Sequence, residues 1–96
     1  MATDREATAL AAHRWQLYLL RCRDGTLYTG ISTDVVRRVQ EHDTGRGARY
    51  TRGRSPVQLL AAWPYADESA ARQAEARFKR LPHARKLLAT CLAEPP

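Results

Sequence analysis

Cysteine is scarce in this 96-residue chain: Cys22 and Cys91 stand far apart, each among apolar neighbours, with no CxxC pair and no Cys/His cluster. That pattern argues against a zinc site and leaves two reduced, buried thiols as the expectation. Long hydrophobic runs are missing as well. The N-terminal "MATDREATALAAHR" carries two acids and no apolar h-region, and no later run is long enough to span a bilayer. A cytoplasmic, soluble chain with no membrane partner is expected. Internal repeats and low-complexity tracts are also absent, and the length allows one modest core in one domain.

What is present is a globular composition, 44% hydrophobic, with sixteen Lys+Arg against ten Asp+Glu for a formal charge of +6. Fourteen of the sixteen cations are Arg, whose planar fork grips phosphate bidentately. Charge alone points only weakly to nucleic acid, because Arg-rich surfaces also arise from coding bias and ordinary solvation.

Residues 1–14 show no sustained periodicity and read as a mobile arm, with the domain over 15–92 and a tail over 93–96. "WQLYLLRC" (15–22) and "TLYTGIS" (26–32) are β-rich runs around Asp24-Gly25, a strong hairpin signal. "VVRRVQEH" follows with Val35, Val36 and Val39 at helical spacing, and Ser32, Thr33 or Asp34 can cap it. "TGRGARYTRGRSP" (44–56), with three Gly, four Arg and no acid, is a loop. "VQLLAAWPY" (57–65) reads as a third strand whose Val57, Leu59, Ala61 and Trp63 share a side until Pro64 ends the pairing. Asp67 caps a helix striped by Ala70, Ala74, Phe78 and Leu81. Pro82 opens another, expected to bury Leu87, Leu88, Cys91 and Leu92. The fold class is α+β: a small, three-stranded, largely antiparallel sheet flanked by helices in the order β-β-α-β-α-α.

Tyr18 and Tyr28 lie on either side of the turn, and the parity of that turn decides whether they share a face. A two-residue Asp24-Gly25 turn pairs Arg23 with Thr26 and puts the phenols on opposite faces. A three-residue loop, with Gly25 in the left-handed position of a G1 bulge, pairs Cys22 with Thr26. Tyr18 then faces Gly30, Tyr28 faces Leu20, and the missing side chain at Gly30 opens space for a ligand beside Tyr18. The strand pattern alone leaves both turns open.

Arg38 and His42, four apart, both sit at the margin of the valine stripe, and Glu75 lies at the edge of the Ala71/Phe78 stripe. Taken singly, Glu75 is half of an exposed pair with Lys79 worth roughly 0.3–0.5 kcal/mol, Arg38 is a surface charge, and His42 is a structural or capping histidine.

Together, in this order, "LYLLRCRDGTLYTGISTDVVRRVQEH", "GARYTRGRSPVQLL" and "ARQAEARFKRL" resemble the GIY-YIG nuclease superfamily, and within it the small single-domain bacterial, YhbQ-like group. The resemblance runs from residue 15 to about residue 90. Tyr18 matches the tyrosine of the first family motif, and Tyr28 with Gly30 the tyrosine and glycine of the second. Arg38 matches the helix arginine, His42 the polar position one turn later, and Glu75 the metal-binding glutamate. The family's shared tyrosine site implies the three-residue loop. Gln16, Leu17 and Thr29 depart from the motif at positions that belong to strand packing, and Ile31 is apolar where excision-repair relatives carry a lysine.

The resemblance implies a metal-dependent endonuclease that hydrolyses phosphodiester bonds in DNA, structured or damaged, in repair or recombination. Arg38 would hold non-bridging oxygens, and Glu75 would hold one Mg²⁺ or Mn²⁺. Tyr18 would deprotonate or orient the water, Tyr28 would hold nucleophile or phosphate, and His42 would shuttle a proton or support Tyr18. The loop supplies the substrate grip: Arg46, Arg49, Arg52 and Arg54 around Tyr50 suit phosphate contact plus stacking. No small-molecule cofactor is implied, DNA is favoured over RNA, and the chain is expected as a monomer or weak dimer with room for a protein partner. Two rival readings are a nucleic-acid-binding module with this fold but little turnover, and a protein-interaction domain using a Trp15 or Trp63 surface.

Overall fold

The runs rich in β-branched and aromatic residues form three strands in the computed structural model, which describes residues 14–91. Strands β1 (Gln16–Arg21), β2 (Leu27–Ser32) and β3 (Gln58–Pro64) make one antiparallel sheet of order β2-β1-β3. Helices α1 (Val35–Asp43), α2 (Glu68–Lys79) and α3 (His83–Ala89) complete the order β-β-α-β-α-α. Except for Arg14, the arm read over 1–14 lies outside the described residues, as do Leu92 and the tail 93–96. Among the described residues no helix is long and apolar enough to cross a membrane.

Alternation along the central strand builds two cores, one on each side of the sheet. Leu17 and Leu19 join Trp63, Ala74, Phe78 and Ala89 beneath α2 and α3, while Tyr18 and Leu20 join Val35 beneath α1. Trp63 and Phe78 meet ring to ring at 5.5 Å between centroids, so Trp63 is interior and no partner surface. Of the motif departures, Leu17 and Thr29 are buried and Gln16, at the start of β1, is half-buried, and Ile31 packs against the α2 side of the sheet.

The hairpin takes the three-residue form. Cys22 N donates to Thr26 O at 2.8 Å and Gly25 N to Cys22 O at 2.9 Å, with Gly25 at φ 84°. A left-handed residue at that position costs glycine nothing. Asp24 Oδ1 accepts from the Thr26 amide at 3.1 Å and hydroxyl at 2.6 Å, closing the tip.

Several expectations need correction. In β3, Leu20 pairs with Leu59 whereas Leu19 pairs with Ala61, so a bulge at Leu60 breaks the alternation. Val57 therefore packs with Tyr18 and Leu20, while Ala61 and Trp63 serve the opposite core. On α1, Asp34 is the cap and Val36 is 69% exposed; Val35, Val39 and His42 form the inward face. A helix of 9 residues covers one narrow strip of sheet, and Val36 falls beside it. On α3 the buried contact is Ala89, with Leu87, Leu88 and Cys91 exposed, because only the near edge of this short helix reaches the core. Of the two thiols, Cys22 alone is buried.

Candidate active site

Cross-strand pairing sets Tyr18 opposite Gly30 and Tyr28 opposite Leu20, on the α1 side of the sheet. The two phenol rings lie 6.3 Å apart between centroids, tilted by 44°. Gly30 is required by this arrangement: a Cβ there would stand 2.5 Å from the Tyr18 hydroxyl oxygen. The space expected beside Gly30 is thus filled by the end of the Tyr18 phenol itself, and a ligand has no room there.

Tyr18 is buried, and its hydroxyl meets His42 Nε2 at 2.8 Å. His42, wholly buried, has Thr51 Oγ1 at 2.8 Å from Nδ1, and the Ala48 amide donates towards the same nitrogen at 3.3 Å. Gly47 lets the loop pass this close, since a Cβ on it would collide with the imidazole. Burial first, and the Arg38 charge second, pull the His42 pKa down to about 4, so the ring is neutral at neutral pH.

The charges of Arg38 and Glu75 are both felt by Tyr18 and Tyr28. Burial raises the Tyr18 pKa above its ordinary value, assisted by the neighbouring Tyr28, while Arg38 opposes the rise and Glu75 adds to it. Burial also raises Tyr28, again with Arg38 lowering and Glu75 raising. Although α2 packs on the opposite face of the sheet from the phenols, it runs along the edge strand β2. Glu75 lies on this helix, and its charge is felt at both phenols. Arg38 Nη1 bonds Glu41 Oε2 at 2.8 Å, and Glu41 also holds Arg37 at 3.5 Å. The plain surface pairing of Glu75 is present too, with Lys79 at 3.6 Å.

The loop after α1 is pinned at both ends. Val57 N donates to Asp43 Oδ1 at 2.9 Å, and Arg23 N donates to Arg54 O at 2.8 Å. Arg54 bridges Asp24 at 3.0 Å and lies 4.3 Å over the Tyr50 ring, while Tyr50 stacks on Tyr28 at 5.9 Å. Arg46, Arg49 and Arg52 are exposed, and among the described residues their side chains make no hydrogen bond or ion pair. Thr51, Gly47, Glu41 and Asp24 escape sequence reasoning. The one signal pointing to Thr51 is indirect: a buried histidine needs a partner for each ring nitrogen.

A divalent cation suits what is here. Among the described residues no three His, Cys, Asp or Glu side chains gather as a closed cage. Glu75 offers a single hard carboxylate, 23% exposed, whose charge acts on both phenols together with that of Arg38. Magnesium and manganese are commonly held in this way, by one or two carboxylates, retained water and substrate phosphate oxygens.

These features define a class, and comparison with known proteins agrees. The model of the GIY-YIG catalytic domain matches residues 14–87, and the chain belongs to the GIY-YIG family, a superfamily of endonucleases. Its relatives include UPF0213 protein XAC3202 of Xanthomonas axonopodis pv. citri, 58% identical over 73 residues, covering 76% of this chain and 72% of the relative. A UPF0213 protein of Nitratidesulfovibrio vulgaris is 51% identical over 79 residues, covering 82% and 70%. Among solved structures, the UPF0213 protein BH0048 of Bacillus halodurans is 40% identical with a TM-score of 0.54, covering 86% of this chain and 88% of that one. The E. faecalis protein EF2693 is 38% identical with a TM-score of 0.55, covering 78% and 80%.

Proposed function

We propose that this chain is a metal-dependent endonuclease that hydrolyses phosphodiester bonds in DNA, with structured or damaged DNA as its substrate class. What supports the reading is the buried Tyr18–His42 pair beside Tyr28, with Arg38 on α1 and Glu75 on α2 both close enough for their charges to act on the two phenols. A carboxylate repels phosphate, so binding alone gives no reason to place one there; cation-assisted hydrolysis does.

Arg38 presents its fork to the non-bridging oxygens, whose charge grows in the transition state. Glu75 would hold Mg²⁺ or Mn²⁺, which polarises the phosphate and neutralises the departing oxygen when bound. Tyr18 orients the attacking water through its hydroxyl, Tyr28 holds the water or the phosphate, His42 fixes the Tyr18 hydroxyl, and the proton the water gives up passes to solvent. Arg46, Arg49 and Arg52 grip the flanking backbone, while Arg54 and Tyr50 keep the loop in place beside Tyr28.

Burial of the Tyr18 phenol, which pushes its pKa up as it does that of Tyr28, favours a second reading, a nucleic-acid-binding module with little turnover, since a protonated phenol is a poor base. One experiment separates the two. Purified protein is incubated with branched, flapped, single-stranded and duplex DNA, and with RNA, in Mg²⁺, Mn²⁺ or EDTA. Cleavage of DNA that chelation and Glu75→Ala abolish supports the enzyme; binding with intact nucleic acid in every lane supports the module.

A further inference from the structure

A neutral imidazole carries one N–H, and which nitrogen holds it is set by the partners of the other. At His42 the Tyr18 hydroxyl is on the Nε2 side, and Thr51 Oγ1 and the Ala48 amide are on the Nδ1 side. Hydroxyl hydrogens turn freely, so Tyr18 and Thr51 fit either tautomer. The Ala48 amide does not: its hydrogen is fixed by the backbone, points at Nδ1 and can only be donated.

Satisfaction of the loop's other groups gives the same answer. Thr51 Oγ1 lies 2.9 Å from Ala48 O and 2.8 Å from His42 Nδ1 but has one hydrogen. Ala48 O already accepts from the Thr51 amide at 3.1 Å. The hydroxyl hydrogen can therefore go to Nδ1 without orphaning the carbonyl. With Nδ1 protonated, by contrast, the Ala48 N–H would face another N–H and lose its acceptor in the part-buried turn.

We propose that Thr51, with the Ala48 amide, is a positioning residue that locks His42 as the Nε2–H tautomer, so that His42 donates to the Tyr18 oxygen and turns the Tyr18 hydroxyl hydrogen out towards the cleft. Two donors share the Nδ1 lone pair, and the amide arm is the longer of them. Tyr18 is left with its oxygen braced by a donor on the buried side and its proton on the substrate side. The catalytic part of this inference rests on the reading above, in which Tyr18 faces the reacting water; the tautomer itself does not. The low His42 pKa is consistent with it, since a neutral ring is what has a tautomer to choose.

The test is a long-range ¹H–¹⁵N spectrum of the uniformly labelled full chain at neutral pH, with the His42 ring signals assigned by their loss in His42→Gln. The expected result is a protonated-type Nε2 and an unprotonated-type Nδ1 in the wild type and in Thr51→Ser. Thr51→Val, which keeps the volume and removes the hydroxyl, should shift towards a tautomer mixture. It should also cleave DNA about ten-fold or more slowly, as when a residue orienting a reactive histidine is removed, with Thr51→Ser close to wild type. Dispersed amide signals in Thr51→Val show that it is folded, and Thr51→Ser reads out the hydroxyl if it is not. A wild-type ring protonated on Nδ1, or a folded Thr51→Val with unchanged tautomer and rate, overturns the proposal. A wild-type chain that cleaves nothing refutes the nuclease reading alone, because the spectrum is recorded without substrate.

Discussion

The Tyr18 hydroxyl lies 2.8 Å from His42 Nε2, across 24 residues of sequence, with neither side chain more than 1% exposed. This contact ties the central strand to α1 through a buried polar pair, and it forces a neutral imidazole on the fold. Charging His42 would put an uncompensated cation beside Arg38 in a low-dielectric interior.

Acid should therefore destabilise the protein earlier than its carboxylates require. His42 titrates near 6.5 when unfolded and at about 4 when folded, so between those values the unfolded chain binds a proton that the native chain refuses. Stability rises with pH across that window and is lost as pH falls through it, with a slope from His42 approaching roughly 1.4 kcal/mol per pH unit. Asp24, held below its ordinary value by hydrogen bonds from the Thr26 hydroxyl and amide, with help from Arg54, acts in a separate and more acidic window. Urea midpoints followed from pH 7 to pH 4 should fall in the wild type and flatten in His42→Gln. Equal slopes in the two proteins would show that His42 is not held neutral.

Gly30→Ala should damage the site out of proportion to its size. The added methyl would stand 2.5 Å from the Tyr18 hydroxyl oxygen, and Tyr18 cannot yield cheaply because it is buried and anchored on His42. Overpacking of this kind costs about 1–3 kcal/mol. A urea-unfolding free energy lowered by that amount, with DNA cleavage falling at least ten-fold, is the expected pair of results; full activity in the variant would mean that the Tyr18–His42 contact is dispensable.

How far the letters carried can be judged residue by residue. The three strands, the order of elements and the cap Asp67 were legible because periodicity and capping are local, while for α1 the letters offered Ser32, Thr33 or Asp34 and the structure selects Asp34. Turn parity was not, since Asp-Gly fits both loops; only family resemblance chose the one that puts the phenols together. The bulge at Leu60 and the exposure of Val36 and Leu88 are tertiary facts, decided by how much sheet a short helix can cover. Thr51 was invisible for another reason: its partner is a ring nitrogen nine residues away, and a lone threonine in a polar loop carries no period.

Removing the charge of Arg38 or of Glu75 should cost rate and leave the fold intact. Arg38 and Glu75 are partly exposed, and their partners Glu41 and Lys79 are other surface charges, pairs of a kind worth at most about 1 kcal/mol. Their effect on a dianionic transition state is larger: Arg38→Ala and Glu75→Ala should each slow cleavage on the order of 10² or more with little change in melting temperature. Single-turnover assays in excess metal make the comparison. Rates within two- to three-fold of wild type would move the catalytic centre elsewhere.

The four loop arginines should not be equivalent in binding. Each phosphate neutralised releases condensed counterion, so each contact adds about 0.7 to 0.9 to the slope of log affinity against log salt. Arg46, Arg49 and Arg52 point outward with no partner among the described residues, whereas Arg54 is committed to Asp24, the Thr26 hydroxyl and the Tyr50 ring. Substituting any one of the first three by alanine should flatten the salt slope by nearly one and weaken binding similarly across sequences. Arg54→Ala should leave the slope near its wild-type value, because the lost cation already had a counter-charge, and should instead loosen the loop and unstack Tyr50 from Tyr28. Fluorescence anisotropy titrations with labelled DNA between low and moderate salt, run in EDTA so that nothing is cut, measure the slope directly. Four equal slopes would mean that Arg54 leaves Asp24 for phosphate on binding, and that the hairpin tip lets go of the loop.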